Sequence, residues 1–389
     1  MPGSFRGCQP SAQGKNALGD KVGYGALGEA LTVLEGLNYR KVLLVATPSA
    51  WKRFNARGQQ PFFPGRECRF FADFNPNPSF PEIEAGCRVY REFKPDLLVA
   101  IGGGSPIDVA KSIKALAHTR EDFPPERPEE IKASGEGPPL VAIATTAGSG
   151  SEATRFAVFY LGERKQSLAH PSLRPEMAVV DPEMTRELPP DITAATGFDA
   201  LSQAVESHWS PHATPESREF SRQAIRSILP NIYNAVHTPD PQNRLAMANA
   251  AYLAGKAINL TRTGIPHALA YHLTKRYGLP HGQAVALTLP YFFAINSQPE
   301  ARAVSDAMER ERTAVMQEIF TLLGQDNPED TAFFWRHLLA SCGLAATLRE
   351  AGLEKPEQVA ELVASINPSR LGSNPVVVEP DLLRECFSS

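Results

Sequence analysis

The chain has 389 residues, 42% hydrophobic and 21% charged, with 39 Lys and Arg against 43 Asp and Glu and a net charge of −4. That balance excludes disordered and collagen-like classes and leaves no basic field to gather a nucleic acid or an anionic membrane surface, so a small molecule is the expected partner. No apolar run approaches the roughly 20 residues that span a bilayer, and the opening MPGSFRGCQP lacks the apolar segment of a signal peptide, so the expected location is cytoplasmic.

In chain order, GYGALG (23–28) matches the G-x-G-x-x-G of a dinucleotide fingerprint. No convincing strand precedes it and no acidic residue stands about 20 positions on, so a glycine-rich turn before the first helix is expected. KVLLVAT (41–47), PDLLVAIGGG (95–104), PLVAIATT (139–146) and MAVVD (177–181) read as buried parallel strands. PEIEAGCRVYREF (81–93) and PIDVAKSIKALA (106–117) between them read as helices, giving an α/β, nucleotide-binding layout. IGGGSPIDVAK (101–111) follows a strand and opens a helix, where glycine backbone, N-terminal amides and Ser105 can approach a pyrophosphate. TTAGSGSE (145–152) offers hydroxyls and pliant backbone at the same carboxyl edge of the sheet, where open α/β sheets bind ligands. TREDFPPERPEE (119–130) reads as a charged surface loop.

Beyond LPPDI (188–192) strand signals stop, and the expected division is an α/β part over 1–187 and an all-helical part over 188–389. ITAATGFDALSQAVESHW (192–209), ESREFSRQAIRSILPNIYNAV (216–236) and NRLAMANAAYLAGKAIN (243–259) carry helical periodicity. Asp199 and Gln203 are four apart and share a helix face. TRTGIPHALAYHLTKRYGLPHG (261–282) holds His267, His272 and His281, three of nine histidines. On one unbroken helix His267 and His281 would lie about 21 Å apart, too far for one ion, but Gly278 and Pro280 form a stop and a start that let the chain fold back. The five cysteines (Cys8, Cys68, Cys87, Cys342, Cys386) are scattered, so reduced thiols are expected.

GGGSPIDVAK, TTAGSGSEATRFAV, VVDPEMT, ATGFDALSQAVES and PHALAYHLTKRYGLPHG, in this order and spacing, resemble the iron-dependent (group III) alcohol dehydrogenases over nearly the whole chain. The resemblance implies that family's fold, shared with dehydroquinate synthase: a Rossmann-like parallel-sheet region followed by a helical one. It implies that Gly102, Gly103, Gly104, Ser105 and Asp108 contact the pyrophosphate of NADPH or NADH, and that Thr145, Thr146 and Ser149 line the adenosine and nicotinamide side. It also implies a divalent metal, Fe2+ or Zn2+, on Asp199, His267 and His281. Gln203 departs from the family's usual histidine, an amide oxygen being the weaker ligand. Tyr271 stands where many members have a further histidine, and Tyr271, the adjacent His272 or water is the candidate for proton delivery. Thr47 replaces an aspartate that repels a 2′-phosphate, so acceptance of NADPH is expected.

Within the family, KQSLAHPSLRPEMAVVDP, TAATGFDALSQAVES and HGQAVALTLP are similar to the phosphonoacetaldehyde reductases of phosphonate biosynthesis. Arg262, where the family commonly has a small residue, is the expected phosphonate anchor, with Arg155 and Lys165 as secondary candidates. The expected activity is reduction of phosphonoacetaldehyde to 2-hydroxyethylphosphonate, with a homodimer compatible. The open alternatives are another small aldehyde or alcohol, a lyase of the dehydroquinate synthase type, and a metal-free non-catalytic relative.

Overall fold

Aliphatic, β-branched runs buried on both faces build the first half of the fold. In the computed structural model, residues 18–55, 63–118, 137–162 and 164–388 are described; Cys8 and the loop 119–130 lie outside them. Strands β1 (Lys21–Val22), β2 (Lys41–Ala46), β3 (Glu67–Phe71), β4 (Leu97–Gly102), β5 (Leu140–Ala144) and β8 (Met177–Val180) form one parallel sheet in the order β1-β8-β5-β4-β2-β3. Between β5 and β8, β6 (Phe156–Leu161) and β7 (Arg164–Ala169) make a separate antiparallel hairpin.

Alternation along the strands sorts side chains to two cores. Val42, Leu44, Val99, Ile101 and Val179 face helices α1 (Ala26–Glu35) and α2 (Pro48–Asn55). Leu43, Val45, Leu98 and Ala100 face α3 (Phe80–Phe93) and α4 (Gly104–Leu116). The four strands expected from the sequence are present. The reading around GYGALG needs correction, because β1 does precede it; two residues long and paired only with β8, it leaves no hydrophobic run to see. The turn itself is as expected, Gly23 and Gly25 taking φ of 120° and 84° before α1.

Every helix or strand after β8 among the described residues is helical. α5 (Pro190–Trp209) starts inside LPPDI; α6 (Pro215–Ile228) and α7 (Ile232–His237) replace the single helix expected over 216–236, Pro230 falling in the break. α8 (Pro241–Thr261), α9 (Ile265–Tyr277) and α10 (His281–Ser297) follow. Phe198, Trp209, Phe293 and Trp335 anchor their shared core, with the Trp335 indole donating to Ala286 O at 3.0 Å. Cys68, Cys87 and Cys342 are free thiols. Among the described residues no helix is long and apolar enough to cross a membrane.

Candidate active site

The carboxyl ends of β2, β4 and β5 lie side by side because those strands are neighbours in the sheet. Thr47 directly follows β2, with its hydroxyl 3.2 Å from that of Ser49 and accepting from Ala50 N at 3.3 Å. The glycines after β4 face the hydroxyls after β5: a Cβ on Gly103 would lie 3.0 Å from Thr146 Oγ1, and one on Gly104 3.1 Å from Ser149 Oγ. Thr145 N donates to Gly102 O at 2.9 Å, and its buried hydroxyl has no partner. Ser105 Oγ accepts from Asn77 N at 3.4 Å. Gly102, Gly103, Gly104, Ser105, Thr145, Thr146, Ser149 and Thr47 thus share one edge, as a phosphate-binding surface requires.

Asp108 does not share that edge's role. Its carboxylate accepts from Ser151 Oγ at 2.7 Å and Val158 N at 3.2 Å, internal bonds that leave the pyrophosphate contact expected of it without support. Beside it the ammonium of Lys111, fully buried, donates to Ser151 O at 2.6 Å, Thr154 O at 2.8 Å and Phe156 O at 2.8 Å, and to the hydroxyls of Ser151 and Thr154. Burial pulls this lysine down to about 8 against the lifting charge of Asp108.

The loop 145–152 then meets the helical half. Gly150, at φ 60°, would drive a Cβ to 2.5 Å from the Cα of Gly255 on α8, so only glycines allow this backbone-to-backbone approach. Gln203 on α5 donates from Nε2 to Ser149 O at 3.2 Å, while its Oε1 is buried without a partner.

Three helices converge here. α9 ends at Gly278, φ 70°, and α10 begins at His281, the stop and start expected from YGLPHG. A Cβ on Gly282 would lie 1.9 Å from Ala195 O and 2.7 Å from Asp199 Cβ, so this glycine is what lets α10 seat His281 against α5. Ligand atoms of Asp199, His267 and His281 lie within 4.8 Å of one another. His267 Nε2 is 3.3 Å from Asp199 Oδ1, while its Nδ1 bonds Glu206 Oε2 and its backbone N donates to Glu206 Oε1 at 3.2 Å.

Burial alone would depress His267, but the carboxylates of Glu206 and Asp199 outweigh it and lift it to about 9. His281 is pushed down to about 4, chiefly by burial. Burial also opposes the Asp199 carboxylate, yet the two histidines and the Gln203 amide hold it below its ordinary range. One carboxylate, two imidazoles and an orphaned amide oxygen form a donor set that fits a divalent ion, and a carboxylate behind one imidazole is the usual support of such a ligand. Glu206 was not foreseen, although its spacing is legible: 199, 203 and 206 fall on one helix face.

The candidate acid and anion-binding residues separate. The Tyr271 ring stacks on His281 at 5.3 Å and 10°, with Lys165 Nζ 2.9 Å from its centroid. His272 points elsewhere, toward Tyr277 at 6.2 Å and the charge of Glu361, because adjacent helical residues diverge by about 100°; the structure gives it no place as proton donor. Lys165, on β7, is held well below the usual lysine range by burial and by the charge of Arg370. Arg262 is exposed at the end of α8, its guanidinium 5.9 Å from the Phe156 ring, which Arg155 flanks at 5.7 Å. It is therefore not the buried pocket cation expected: with φ 70° it closes the helix, N–H to Ile258 O, and its side chain leaves toward solvent. Arg370, which carried no sequence signal, is the cation that neighbours Lys165.

Residues 21–182 match the family model described as iron-containing alcohol dehydrogenase, and 193–384 match its companion, the Fe-containing alcohol dehydrogenase family, C-terminal. An NADPH-dependent butanol dehydrogenase of Clostridium saccharobutylicum is 30% identical over 377 residues, 92% of this chain and 93% of that protein. Alcohol dehydrogenase 4 of Saccharomyces cerevisiae is 33% identical over 341 residues, 85% of this chain and 86% of the relative. The crystal structure of a sulfoacetaldehyde reductase from Bifidobacterium kashiwanohense in complex with NAD+ superposes with a TM-score of 0.84 at 30% identity, covering 95% of this chain and 96% of the other.

Proposed function

The chain belongs to the iron-containing alcohol dehydrogenase family, and on that premise we propose that it reduces a small aldehyde bearing a tetrahedral oxyanion, phosphonoacetaldehyde, to the primary alcohol. The balanced reaction is phosphonoacetaldehyde, NADPH or NADH and a proton giving 2-hydroxyethylphosphonate and oxidised nicotinamide. A bound nicotinamide would supply the hydride, and a divalent ion, which Asp199, His267, His281 and the Gln203 amide oxygen would hold, would supply Lewis acidity toward the carbonyl oxygen.

The protein's own part is positional and electrostatic. Glu206 fixes the tautomer and tilt of His267 through Nδ1, leaving Nε2 toward Asp199. Tyr271, stacked on His281 and contacted by the Lys165 ammonium, carries the hydroxyl that we assign to proton delivery.

The observation that carries the anionic substrate is Lys165: a half-buried ammonium beside the triad, favoured at a distance by Asp108 and Asp199 but in no ion pair with any carboxylate among the described residues. A partly desolvated cation without a close counter-ion is costly, and a substrate oxyanion lowers that cost. The resemblance to a sulfoacetaldehyde reductase, named for an aldehyde that carries an oxyanion, supports the same reading. Nicotinamide absorbance assays on the metal-loaded enzyme test it: kcat/KM for phosphonoacetaldehyde should exceed that for propanal at least about tenfold, one charge-assisted contact. Equal values for the two aldehydes would remove the anionic substrate from the assignment.

A further inference from the structure

Arg370 belongs to a 3-10 segment (Pro368–Ser373) far from every motif discussed above. Its Nη1 donates to Thr263 O at 3.4 Å, tying the segment to the connection between α8 and α9. At Gly264, the next residue, a Cβ would lie 3.4 Å from Ser373 O and 3.7 Å from Glu206 Oε1. The segment, the connection and the carboxylate that grips His267 therefore meet at one place, and Lys165, which feels the charge of Arg370, lies over the Tyr271 ring that stacks on His281.

Both cations are half-buried, burial disfavours the charged form of each, and each feels charges of this site: Lys165 those of Arg370, Asp108 and Asp199, Arg370 that of Glu206. Neither makes an ion pair among the described residues. The carboxylates in range are already engaged, Glu206 and Asp199 by His267 and Asp108 by Ser151 and Val158. Two partly desolvated like charges repel, and Asp108, Asp199 and Glu206 offset this only at a distance, none of them in an ion pair with either cation.

We infer that Arg370 and Lys165 together form a subsite for the tetrahedral oxyanion of the substrate, a phosphonate or a sulfonate, with Arg370 supplying paired N–H donors and Lys165 a point charge. This rests on the reading of the substrate as an anionic aldehyde and moves the anchor from Arg262 to Arg370. The planar guanidinium suits two oxygens of one tetrahedral group, and two cations favour a dianion over a monoanion.

The test is the ratio of kcat/KM for phosphonoacetaldehyde, and separately for sulfoacetaldehyde, to that for propanal, in the wild-type enzyme and in Arg370→Ala, Arg370→Gln, Arg370→Lys and Arg262→Ala. Titration with 2-hydroxyethylphosphonate in the absence of nicotinamide measures binding apart from turnover. Arg370→Ala and Arg370→Gln should lower both ratios 10- to 100-fold through KM and weaken the alcohol's binding by a similar factor, and Arg370→Lys should restore part of each. A wild-type preference for phosphonoacetaldehyde over sulfoacetaldehyde would fit the paired charge. A wild-type preference for anionic aldehydes that survives Arg370→Ala but collapses in Arg262→Ala overturns this subsite and leaves the proposed function standing. Equal use of charged and uncharged aldehydes by the wild type overturns both. A ratio unchanged in every Arg370 variant while activity on all three aldehydes falls makes Arg370 structural. Should Arg370→Ala not fold, Lys165→Met with the same two readouts decides, and an unaltered ratio there counts against the subsite.

Discussion

The sheet edge and the helical pocket reach comparable chemical order by different routes. At the sheet edge each loop follows directly from its own strand, so Thr47, the run Gly102 to Ser105 and the run Thr145 to Ser149 come together because β2, β4 and β5 are hydrogen-bonded neighbours. In the pocket, Asp199, His267 and His281 come from three helices and meet through tertiary packing, with one glycine at the closest point. A change at the edge should be felt locally, whereas a change at the helix junction should be felt by the whole constellation.

The sharpest way to break that comparison is Gly282→Ala. Its methyl would overlap Ala195 O, a backbone atom on α5 that cannot rotate away. We expect a loss of about 3 kcal/mol or more, read as a lower melting temperature, together with lost metal in the purified protein measured by elemental analysis. A stable variant with full metal content would show that the junction is softer than its packing implies.

Glu206→Ala should come next. It leaves His267 Nδ1 without its acceptor, and metal affinity measured by chelator competition should fall 10- to 100-fold. Folding should suffer less than in Gly282→Ala, since no backbone is displaced. If affinity is unchanged, His267 is oriented by packing alone.

Two substitutions near the sheet edge should be milder. Burial lifts Glu152 to about 7, so the folded state holds a proton that the unfolded state has released above about 4.5. Stability should therefore fall as pH rises from about 4.5 to 7 and level off above. Glu152→Gln should flatten that slope, a difference on the order of 2 kcal/mol read from melts across the window. A parallel pH dependence in the two proteins would show that Glu152 ionises normally. The smallest effect is expected at Thr47: the wild type should use NADPH at least as well as NADH, and Thr47→Asp should shift kcat/KM toward NADH about tenfold, worth about 1.4 kcal/mol. A wild-type preference for NADH above that factor contradicts the role given to Thr47.

What the sequence revealed follows the same division. The buried strands of the sheet and the glycine-rich loops behind them were legible because each combines a hydrophobic run with the turn chemistry that ends it. β3 and the β6–β7 hairpin were not, since β3 is an exposed edge strand and the hairpin mixes Phe, Tyr, Lys, Arg and Gln without a clean alternation. The approach of His267 and His281 was legible through Gly278 and Pro280. Arg370 was invisible, lying in an irregular segment whose position depends on a contact with Thr263 more than a hundred residues away. Arg262 misled for the complementary reason: its neighbourhood in sequence is the active site, but its left-handed backbone, φ 70°, carries its side chain outward.

Lys111 has a consequence for how the cofactor edge can change over time. Its ammonium holds the carbonyls of Ser151, Thr154 and Phe156, atoms that every amino acid possesses. The path of that loop is thus written largely by a residue forty positions upstream, independently of most side chains the loop displays. Thr145 and Thr146, whose side chains take no part in that grip, can be exchanged while the loop keeps its course; Ser149, whose hydroxyl accepts from Ser151 N at 3.3 Å, and Ser151 and Thr154, whose hydroxyls also accept from the lysine, are held. A library built to alter cofactor preference should vary the first set and hold the second, with Lys111, constant.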